Sequence, residues 1–351
     1  MRFIHIADIH IGMMPDIKKS WSKDRMNEIM QSFLEVIETC NREQVDLLLI
    51  AGDLFHKQPL LRELKEVNYA FRKLLRTRVV LMAGNHDYIS PASNYRDFKW
   101  NENVSMFMSS ELDSVTFEDI DTRVYGMSYF ERNCSEAKYN HVQPCIDGKI
   151  NILLAHGGDE RNIPIDRKLL MNAGFDYIAL GHIHKPEIIS KGMAYAGSLE
   201  PLDRNETGEH GYLLGEITGG EDSQCEVRFI RSCQRRYIPL TMDIMPHMTV
   251  TETQDIVRTQ MDGIGERNLY HIILEGVRDP DILFEEKDFL QIGNVTGVID
   301  NTIPDYNFEA IYGENKDNMI GMYIDRIRKC DYEDEIIDKA LYLGIRALMR
   351  T

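Results

Sequence analysis

Five short apolar segments in the first half of the chain each end at a polar cluster that contains histidine or aspartate. They span residues 3–7, 47–51, 79–83, 150–155 and 177–180. Continuous apolar runs of this length are typical of strands that are buried on both faces of a sheet. The pattern therefore predicts a buried sheet whose strands lead directly into side chains that can bind metals or take part in catalysis.

Helical patterns separate the first three of these predicted strands. Residues 25–42 and 61–77 carry apolar side chains at spacings of three and four, which is typical of amphipathic helices. Strands that alternate with helices predict an α/β layered fold. In such folds, ligands gather beyond the carboxyl ends of the strands. We therefore expect the five polar clusters to converge on one crevice.

The side chains expected in this crevice are oxygen and nitrogen donors without a thiolate. They are Asp8, His10, Asp53, Asn85, His156, His182 and His184. Such a donor set suits manganese, iron, cobalt or zinc. Seven donors exceed what one catalytic ion can use, but with one bridging carboxylate they divide between two ions. The set favours a dinuclear centre in which a metal-bound hydroxide attacks a phosphorus atom.

Each of these residues also has a simpler structural explanation. A histidine at a strand end is often a capping or core residue, and an aspartate after glycine usually belongs to a turn. Those explanations would have to hold separately at five strand ends, and six of the eleven histidines lie in these clusters. We therefore expect a metal site. His5 lies on the opposite side of its strand from Asp8 and His10, so we expect it to have no role there.

The ordered motifs D-x-H, G-D, G-N-H-D, H-G and G-H-x-H resemble the calcineurin-like metallophosphoesterase superfamily over about residues 1–200. The resemblance implies a two-sheet sandwich flanked by helices, in the layer order αββα, with Asp53 bridging two metal ions. It implies that one ion is bound by Asp8, His10, Asp53 and His184. It implies that the other ion is bound by Asp53, Asn85, His156 and His182.

The opening F-I-H-I-A-D-I-H-I-G and the block G-D-L-F-H are similar to the SbcD-type nuclease subunits of double-strand-break repair complexes. Protein Ser/Thr phosphatases continue the G-D block with an acidic and basic pair, which this sequence lacks. The resemblance implies that His56 supports the metal ligands and that His86 protonates or stabilises the leaving 3′ oxygen. Asp87 is expected to orient His86.

The sequence indicates three parts. Residues 1–236 would form the nuclease domain, residues 237–315 a smaller α+β module, and residues 316–351 two amphipathic helices. The resemblance implies that the α+β module caps the nuclease site and helps to guide DNA. The two helices either pack on their own domain or dock on the coiled coil of an SbcC-like ATPase.

The charge of the chain is unevenly distributed. The formal net charge of −17, from 40 basic and 57 acidic residues, argues against a broad basic surface for nucleic acid. Residues 1–236 carry 29 basic and 35 acidic side chains, whereas residues 237–351 carry 11 and 22. Two divalent ions would bring the first part close to neutrality. We expect weak, salt-sensitive DNA binding by the chain alone, with a partner supplying phosphate contacts.

Several classes of protein do not fit the sequence. Six cysteines without a C-x-x-C pair predict reduced thiols. No segment reaches the roughly 18–20 apolar residues of a membrane helix, and the first residues do not resemble a secretory signal. We therefore expect a cytoplasmic protein without membrane association. A P-loop motif is missing from the sequence, so ATP hydrolysis would require a separate chain.

Three functions are compatible with these features. The first is a manganese-dependent exonuclease or endonuclease that cleaves DNA ends or hairpins in repair and recombination. The second is a phosphodiesterase acting on cyclic nucleotides or dinucleotides, and the third is an ATPase-binding scaffold with a vestigial site. His56 and the C-terminal module favour the nuclease, and the full donor set disfavours the scaffold. The resemblance also implies a homodimer, which residues 61–78 and 91–100 could form.

Overall fold

The computed structural model describes residues 1–218 and 224–349. The chain divides into two compact units, Met1–Ile238 and Pro239–Thr351. The first unit contains two six-stranded sheets that pack face to face, with helices outside them. The predicted α/β two-sheet sandwich is confirmed. The division of the chain into three functional parts stays a prediction.

The first sheet carries three of the five predicted strands side by side. From edge to edge its strands are β12 (Gln224–Arg231), β11 (Gly211–Thr218), β1 (Arg2–Ile6), β2 (Leu47–Ala51), β3 (Arg78–Met82) and β4 (Val104–Met106). Strands β1 to β4 run parallel, whereas β11 and β12 are antiparallel to their neighbours. Helices α1 (Ser22–Arg42) and α2 (Leu61–Phe71) form the two crossovers that the helical spacing predicts.

The second sheet carries the other two predicted strands. From edge to edge its strands are β5 (Asp113–Phe117), β6 (Thr122–Gly126), β7 (Ile150–His156), β8 (Tyr177–Gly181), β10 (Met193–Tyr195) and β9 (Glu187–Ser190). Strands β6, β7, β8 and β10 run parallel, and both edge strands are antiparallel. The short helix α3 (Arg167–Met171) precedes β8.

Alternate residues of the central strands face two different cores. In β2, Leu47, Leu49 and Ala51 pack between the two sheets, whereas Leu48 and Ile50 pack under α1 and α2. All five side chains are fully buried. Burial on both faces explains why this strand is a continuous apolar run in the sequence.

His5 on β1 is a core residue. Its Nδ1 lies 2.9 Å from the hydroxyl oxygen of Tyr177 on β8, and the side chain is fully buried. Burial lowers the pKa of His5 to about 3, so the ring is neutral at physiological pH.

The second unit has its own small sheet and a group of helices. In chain order it contains β13 (Tyr237–Ile244), α4 (Val250–Ile264), β14 (Leu269–Arg278), α5 (Glu286–Phe289), β15 (Val295–Asp300), β16 (Ile303–Pro304), α6 (Phe308–Glu314), α7 (Met319–Arg328) and α8 (Asp334–Met349). The sheet has the order β13–β14–β15, and β16 pairs with β14. Ile324 of α7 packs against Leu341 and Ile345 of α8. Within the described residues, no helix is long and apolar enough to cross a membrane.

Candidate metal centre

The backbone turns sharply where the candidate ligands leave their strands. Asp8, His10, Asp53 and His182 have φ angles of 52°, 53°, 49° and 93°, in the left-handed region. This region costs a residue other than glycine about 1–3 kcal/mol and is enriched at functional sites. The strain is located at the ends of β1, β2 and β8, where the sequence predicts the ligands.

One group of donors contains Asp8, His10 and His184, whose ligand atoms lie within 4.8 Å of one another. The Nε2 atoms of His10 and His184 are 3.2 Å apart. Zinc–nitrogen distances of about 2.0–2.1 Å place neighbouring ligand nitrogens roughly 3.0–3.4 Å apart, so both rings fit the coordination sphere of one ion.

A second group contains Asp8, Asp53 and His156, again within 4.8 Å of one another. His156 Nε2 is 2.9 Å from Asn85 Oδ1, and His182 Nδ1 is 3.2 Å from the same oxygen. The structure therefore brings all seven predicted side chains to one place.

Asp53 belongs to the second donor group, and its carboxylate also faces the first group. Its Oδ2 atom is 3.7 Å from Nε2 of His10 and 3.5 Å from Nε2 of His156. Its Oδ1 atom accepts a hydrogen bond of 2.9 Å from the backbone N–H of His86. One carboxylate oxygen is therefore fixed by the loop after β3, while the other faces histidines of both groups.

Two glycines make this close packing possible. Gly52 precedes Asp53 with φ of 86°, and a Cβ atom there would collide with the imidazole of His156. A Cβ atom at Gly84 would collide with the carboxylate of Asp53. Gly52 is therefore required by the approach of strand ends from the two sheets, and Gly84 by the approach of the loops after β2 and β3.

Hydrogen bonds at the outer nitrogens orient three of the histidines. His156 Nδ1 donates to the carbonyl oxygen of Ala51 at 2.8 Å, which leaves Nε2 facing Asp53. His184 Nδ1 donates to Glu206 at 2.6 Å, and His182 Nε2 donates to Asp159 at 2.7 Å. Partners of this kind fix the tautomer and orientation of metal-binding histidines.

The two carboxylates in these contacts are not part of any motif in the sequence. Asp159 directly follows the H-G-G sequence, so its position next to a motif is the sequence feature that points to a role at the site. Glu206 lies in the loop between β10 and β11, 22 residues after His184, and its contact is not visible in any local pattern.

The electrostatics of the centre favour positive charge. Burial raises the pKa of Asp8 to about 6, against the opposing effect of His156 and His184. Burial acts in the same direction on Asp53, but the neighbouring histidines, His156 first, hold its pKa well below the ordinary value. Despite burial, carboxylates raise the pKa values of His156 and His184 to about 9. The buried carboxylates thus stabilise positive charge on the neighbouring histidines, and a bound metal ion would displace those protons.

His56 and His86 lie beside the first donor group. The ring centroid of His10 is 5.5 Å from that of His56 and 4.7 Å from that of His86. His86 Nδ1 donates to the backbone carbonyl oxygen of His56 at 3.1 Å. Ligand atoms of the three rings lie within 4.8 Å of one another.

The predicted contact between Asp87 and His86 is wrong. Asp87 is buried, and its Oδ1 accepts from the backbone N–H of Gly84 at 2.8 Å. Its Oδ2 accepts from the backbone N–H of Phe55 at 3.1 Å and from the hydroxyl of Tyr95 at 2.8 Å. Asp87 therefore holds the loops after β2 and β3 together, and the carbonyl of His56 orients His86.

Replacing Glu206 with glutamine should weaken metal binding. The amide keeps the size of the side chain but loses the charge that orients His184, and such changes typically cost about 10- to 100-fold in metal affinity. Calorimetric titration of the metal-free protein with Mn²⁺ measures the effect. Glu209→Gln is the matched control, because Glu209 is in the same loop but pairs with Arg231 and Arg236. Equal affinities for the two variants would contradict the orienting role.

Residues 1–186 match the family described as calcineurin-like phosphoesterase, and the chain belongs to this family. The motifs and the strand-end donors all lie inside the matched region. Glu206, which orients His184, lies outside it. The family assignment and the two donor groups together define a metallophosphoesterase with a candidate dinuclear site.

Three curated relatives show the range of similarity. The chain is 30% identical to the uncharacterized metallophosphoesterase YhaO of Bacillus subtilis, over 64% of this chain and 59% of that protein. It is 30% identical to the DNA double-strand break repair protein Mre11 of Methanocaldococcus jannaschii, over 63% of this chain and 64% of that protein. It is 23% identical to the SbcD component of the nuclease SbcCD of Staphylococcus epidermidis, over 79% of each chain. The chain thus matches about three fifths of the length of the first two relatives.

Proposed function

We propose that this chain is a two-metal phosphodiesterase that cleaves DNA, and that it acts as the nuclease subunit of a repair complex. The observation that carries the proposal is the cluster of His10, His56 and His86 beside the donor groups. It supplies a proton-transferring imidazole next to the candidate metal centre. The similarity to relatives named for double-strand break repair and for SbcCD supports DNA as the substrate.

The donor chemistry fits two divalent ions, and we propose manganese. One ion would be held by Asp8, His10, Asp53 and His184, and the other by Asp53, Asn85, His156 and His182. When bound, the ions would activate water and neutralise the charge of the phosphodiester. The position of Asp53 Oδ2 between His10 and His156 supports Asp53 as the shared ligand.

His86 is the proposed proton donor to the leaving 3′ oxygen. The His56 carbonyl fixes its Nδ1, so the ring is oriented with Nε2 available to the substrate. A cationic imidazole in this position can donate a proton from Nε2 while Nδ1 stays hydrogen-bonded. His56 contributes through its backbone carbonyl and through the contact of its ring with His10.

Replacing His86 with alanine should lower the turnover of a DNA oligonucleotide about 10²- to 10⁴-fold, which is the usual contribution of a positioned acid. The manganese content should stay at the wild-type level, because the proposal does not make His86 a ligand. Steady-state hydrolysis and elemental analysis measure the two effects. His141→Ala, which changes an exposed loop histidine, is the control. A loss of bound manganese in His86→Ala would show that His86 is a ligand instead.

The substrate class is tested by comparing oligonucleotides with bis-p-nitrophenyl phosphate in the same manganese-containing buffer. The proposal expects hydrolysis of both compounds. Turnover of the small diester without DNA cleavage would favour a small-molecule phosphodiesterase. The absence of turnover with either compound would favour a scaffold with a vestigial site.

We also propose that α7 and α8 bind a coiled-coil ATPase of the SbcC type. One face of each helix packs in its own unit through Ile324, Leu341 and Ile345. Met322 and Leu343 remain 69% and 54% exposed, and such apolar side chains are suitable for helix-in-groove contacts. A Met322→Glu, Leu343→Glu variant should lose co-purification with the ATPase but keep hydrolysis of the small diester. Unchanged co-purification would contradict the docking proposal.

A homodimer through α2 is a related proposal. Leu64, Val67 and Phe71 of α2 are buried in the core, whereas Leu61 and Tyr69 are 48% and 62% exposed. The exposed side chains could pack against a second copy of the chain. Analytical ultracentrifugation at micromolar concentration should give a dimer, and a strict monomer would contradict the proposal.

A further inference from the structure

The segment of residues 129–133 lies beside the candidate metal centre and contains none of the candidate ligands. The backbone N–H of Tyr129 donates to the carbonyl oxygen of Ala83, just after β3, at 3.1 Å. The Tyr129 hydroxyl donates to the carbonyl oxygen of His156, at the end of β7, at 3.0 Å. The segment is therefore fixed between two strand ends that carry candidate ligands.

Phe130 in this segment is partly buried against the core under α1 and α2, and it also lines an open cavity. The guanidinium carbon of Arg96 lies 5.7 Å from the ring centroid, and Arg96 Nε donates to the carbonyl oxygen of Ser90 at 2.9 Å. The cavity has a volume of about 270 Å³, and its polar lining includes Ser110, Glu131, Asn133 and Lys138. An aromatic ring that borders a polar cavity is an element that can stack on an unpaired nucleobase.

Three exposed cations surround this segment. They are Arg96, Arg132 and Lys57, which directly follows His56. Lys57 is the next residue after His56, whose backbone carbonyl oxygen accepts from His86 Nδ1 at 3.1 Å. Arg132 is two residues after Phe130. Both cations therefore lie on segments that border the candidate metal centre.

These cations are not neutralised by carboxylates. Within residues 1–218 and 224–349, Lys57, Arg96 and Arg132 form no ion pair, in contrast to Arg76 with Asp46 and Arg78 with Asp119. A strongly acidic chain thus keeps unpaired positive charges next to its candidate metal centre. Phosphate groups are the ligands that such side chains attract.

We propose that Phe130, Arg96, Arg132 and Lys57 form a subsite for single-stranded nucleic acid next to the scissile phosphodiester. Phe130 stacks on one base, and the three cations contact phosphates on the same strand. A paired base in a duplex does not expose its face, so the stacking contact selects an unpaired strand. The inference rests on the proposed nuclease function and adds the form of DNA that the site accepts.

The stacking contact is tested by comparing two single-stranded oligonucleotides of equal length, one with bases and one fully abasic. The wild type should have a kcat/KM about 5- to 150-fold higher for the strand with bases, the range given by one stacked base. Phe130→Leu should bring this ratio close to one. Phe130→Tyr, which restores an aromatic ring, should keep the wild-type ratio.

The phosphate contact is tested by the salt dependence of oligonucleotide binding, measured by fluorescence anisotropy. Arg132→Gln should reduce the slope of log Kd against log salt by about one, as the loss of one phosphate contact does. Lys191→Gln is the matched control. Lys191 lies just before the first residue of β10, whereas His182 lies just after the last residue of β8. Because β10 and β8 run parallel, Lys191 is at the opposite end of these strands from His182.

The outcomes separate this inference from the proposed function. A wild type that cleaves no DNA would overturn both. DNA cleavage with an unchanged ratio in Phe130→Leu would overturn the stacking subsite alone. Equal salt slopes for the wild type and Arg132→Gln would overturn the phosphate contact. A collapsed ratio that Phe130→Tyr restores, together with a reduced slope in Arg132→Gln, would establish the subsite.

Discussion

Replacing Asp53 with asparagine is expected to lower phosphodiester hydrolysis about 10³-fold or more and to reduce bound manganese from two ions per chain to at most one. Asp53 Oδ2 faces His10 on one side and His156 on the other, so one neutral amide weakens both donor groups at once. Stabilisation by two metal ions contributes several kcal/mol to catalysis, and about 1.4 kcal/mol corresponds to a factor of ten. Hydrolysis of bis-p-nitrophenyl phosphate and elemental analysis measure the two effects.

The matched control for this substitution is Asp119→Asn. Asp119 is exposed and pairs with Arg78. It lies before the first residue of β6, at the opposite end of the parallel strands from the candidate ligands. Circular dichroism of both variants checks that they are folded. Wild-type activity in a folded Asp53→Asn variant would contradict the bridging role.

The largest expected change in stability comes from Arg25, which lies in a buried network of charges. Arg25 is fully buried on α1 and donates to Glu28 at 2.8 Å, to Glu200 at 2.9 Å and to the carbonyl oxygen of Pro201 at 2.6 Å. Arg235 binds Glu28 from the other side at 2.8 Å. The network therefore joins α1 to two loops that are distant in the sequence.

Arg25→Met should lower the free energy of unfolding by about 3–5 kcal/mol, because Glu200 would remain buried without its cation. Denaturation with guanidinium chloride, followed by tryptophan fluorescence, measures this change. Both tryptophans, Trp21 and Trp100, lie in the first unit.

Arg167→Met provides the comparison for this measurement. Arg167 pairs with Glu187 at 2.9 Å, but both side chains are nearly half exposed. Exposed pairs contribute about 0–1 kcal/mol, so this variant should unfold close to the wild type. If Arg25→Met also changed stability by less than about 1 kcal/mol, the buried network would not have the proposed importance.

The donor residues of the site could be predicted from the sequence because each one follows an apolar strand directly. The position of Asn85, for example, depends only on β3 and on the short loop that follows Met82. Parallel strands bring their carboxyl ends to one edge of a sheet, so local patterns were enough to predict the convergence.

Other parts of the site depend on contacts that local patterns do not contain. Glu206 reaches His184 from a loop without a motif, and Glu200 meets Arg25 across 175 residues of sequence. The expected partner of Asp87 differs from the observed one because adjacent residues in a tight loop point in different directions. Its carboxylate faces Tyr95 and backbone N–H groups, while the ring of His86 faces His10.

The central claim is that this chain binds two metal ions and uses them to hydrolyse phosphodiester bonds. The most direct test titrates the metal-free wild-type protein with Mn²⁺ while following both bound metal and cleavage of an oligonucleotide. We predict that two ions bind per chain, and that full activity requires the second ion. Binding of a single ion at full activity, or cleavage that persists in the presence of a chelator, would contradict this claim.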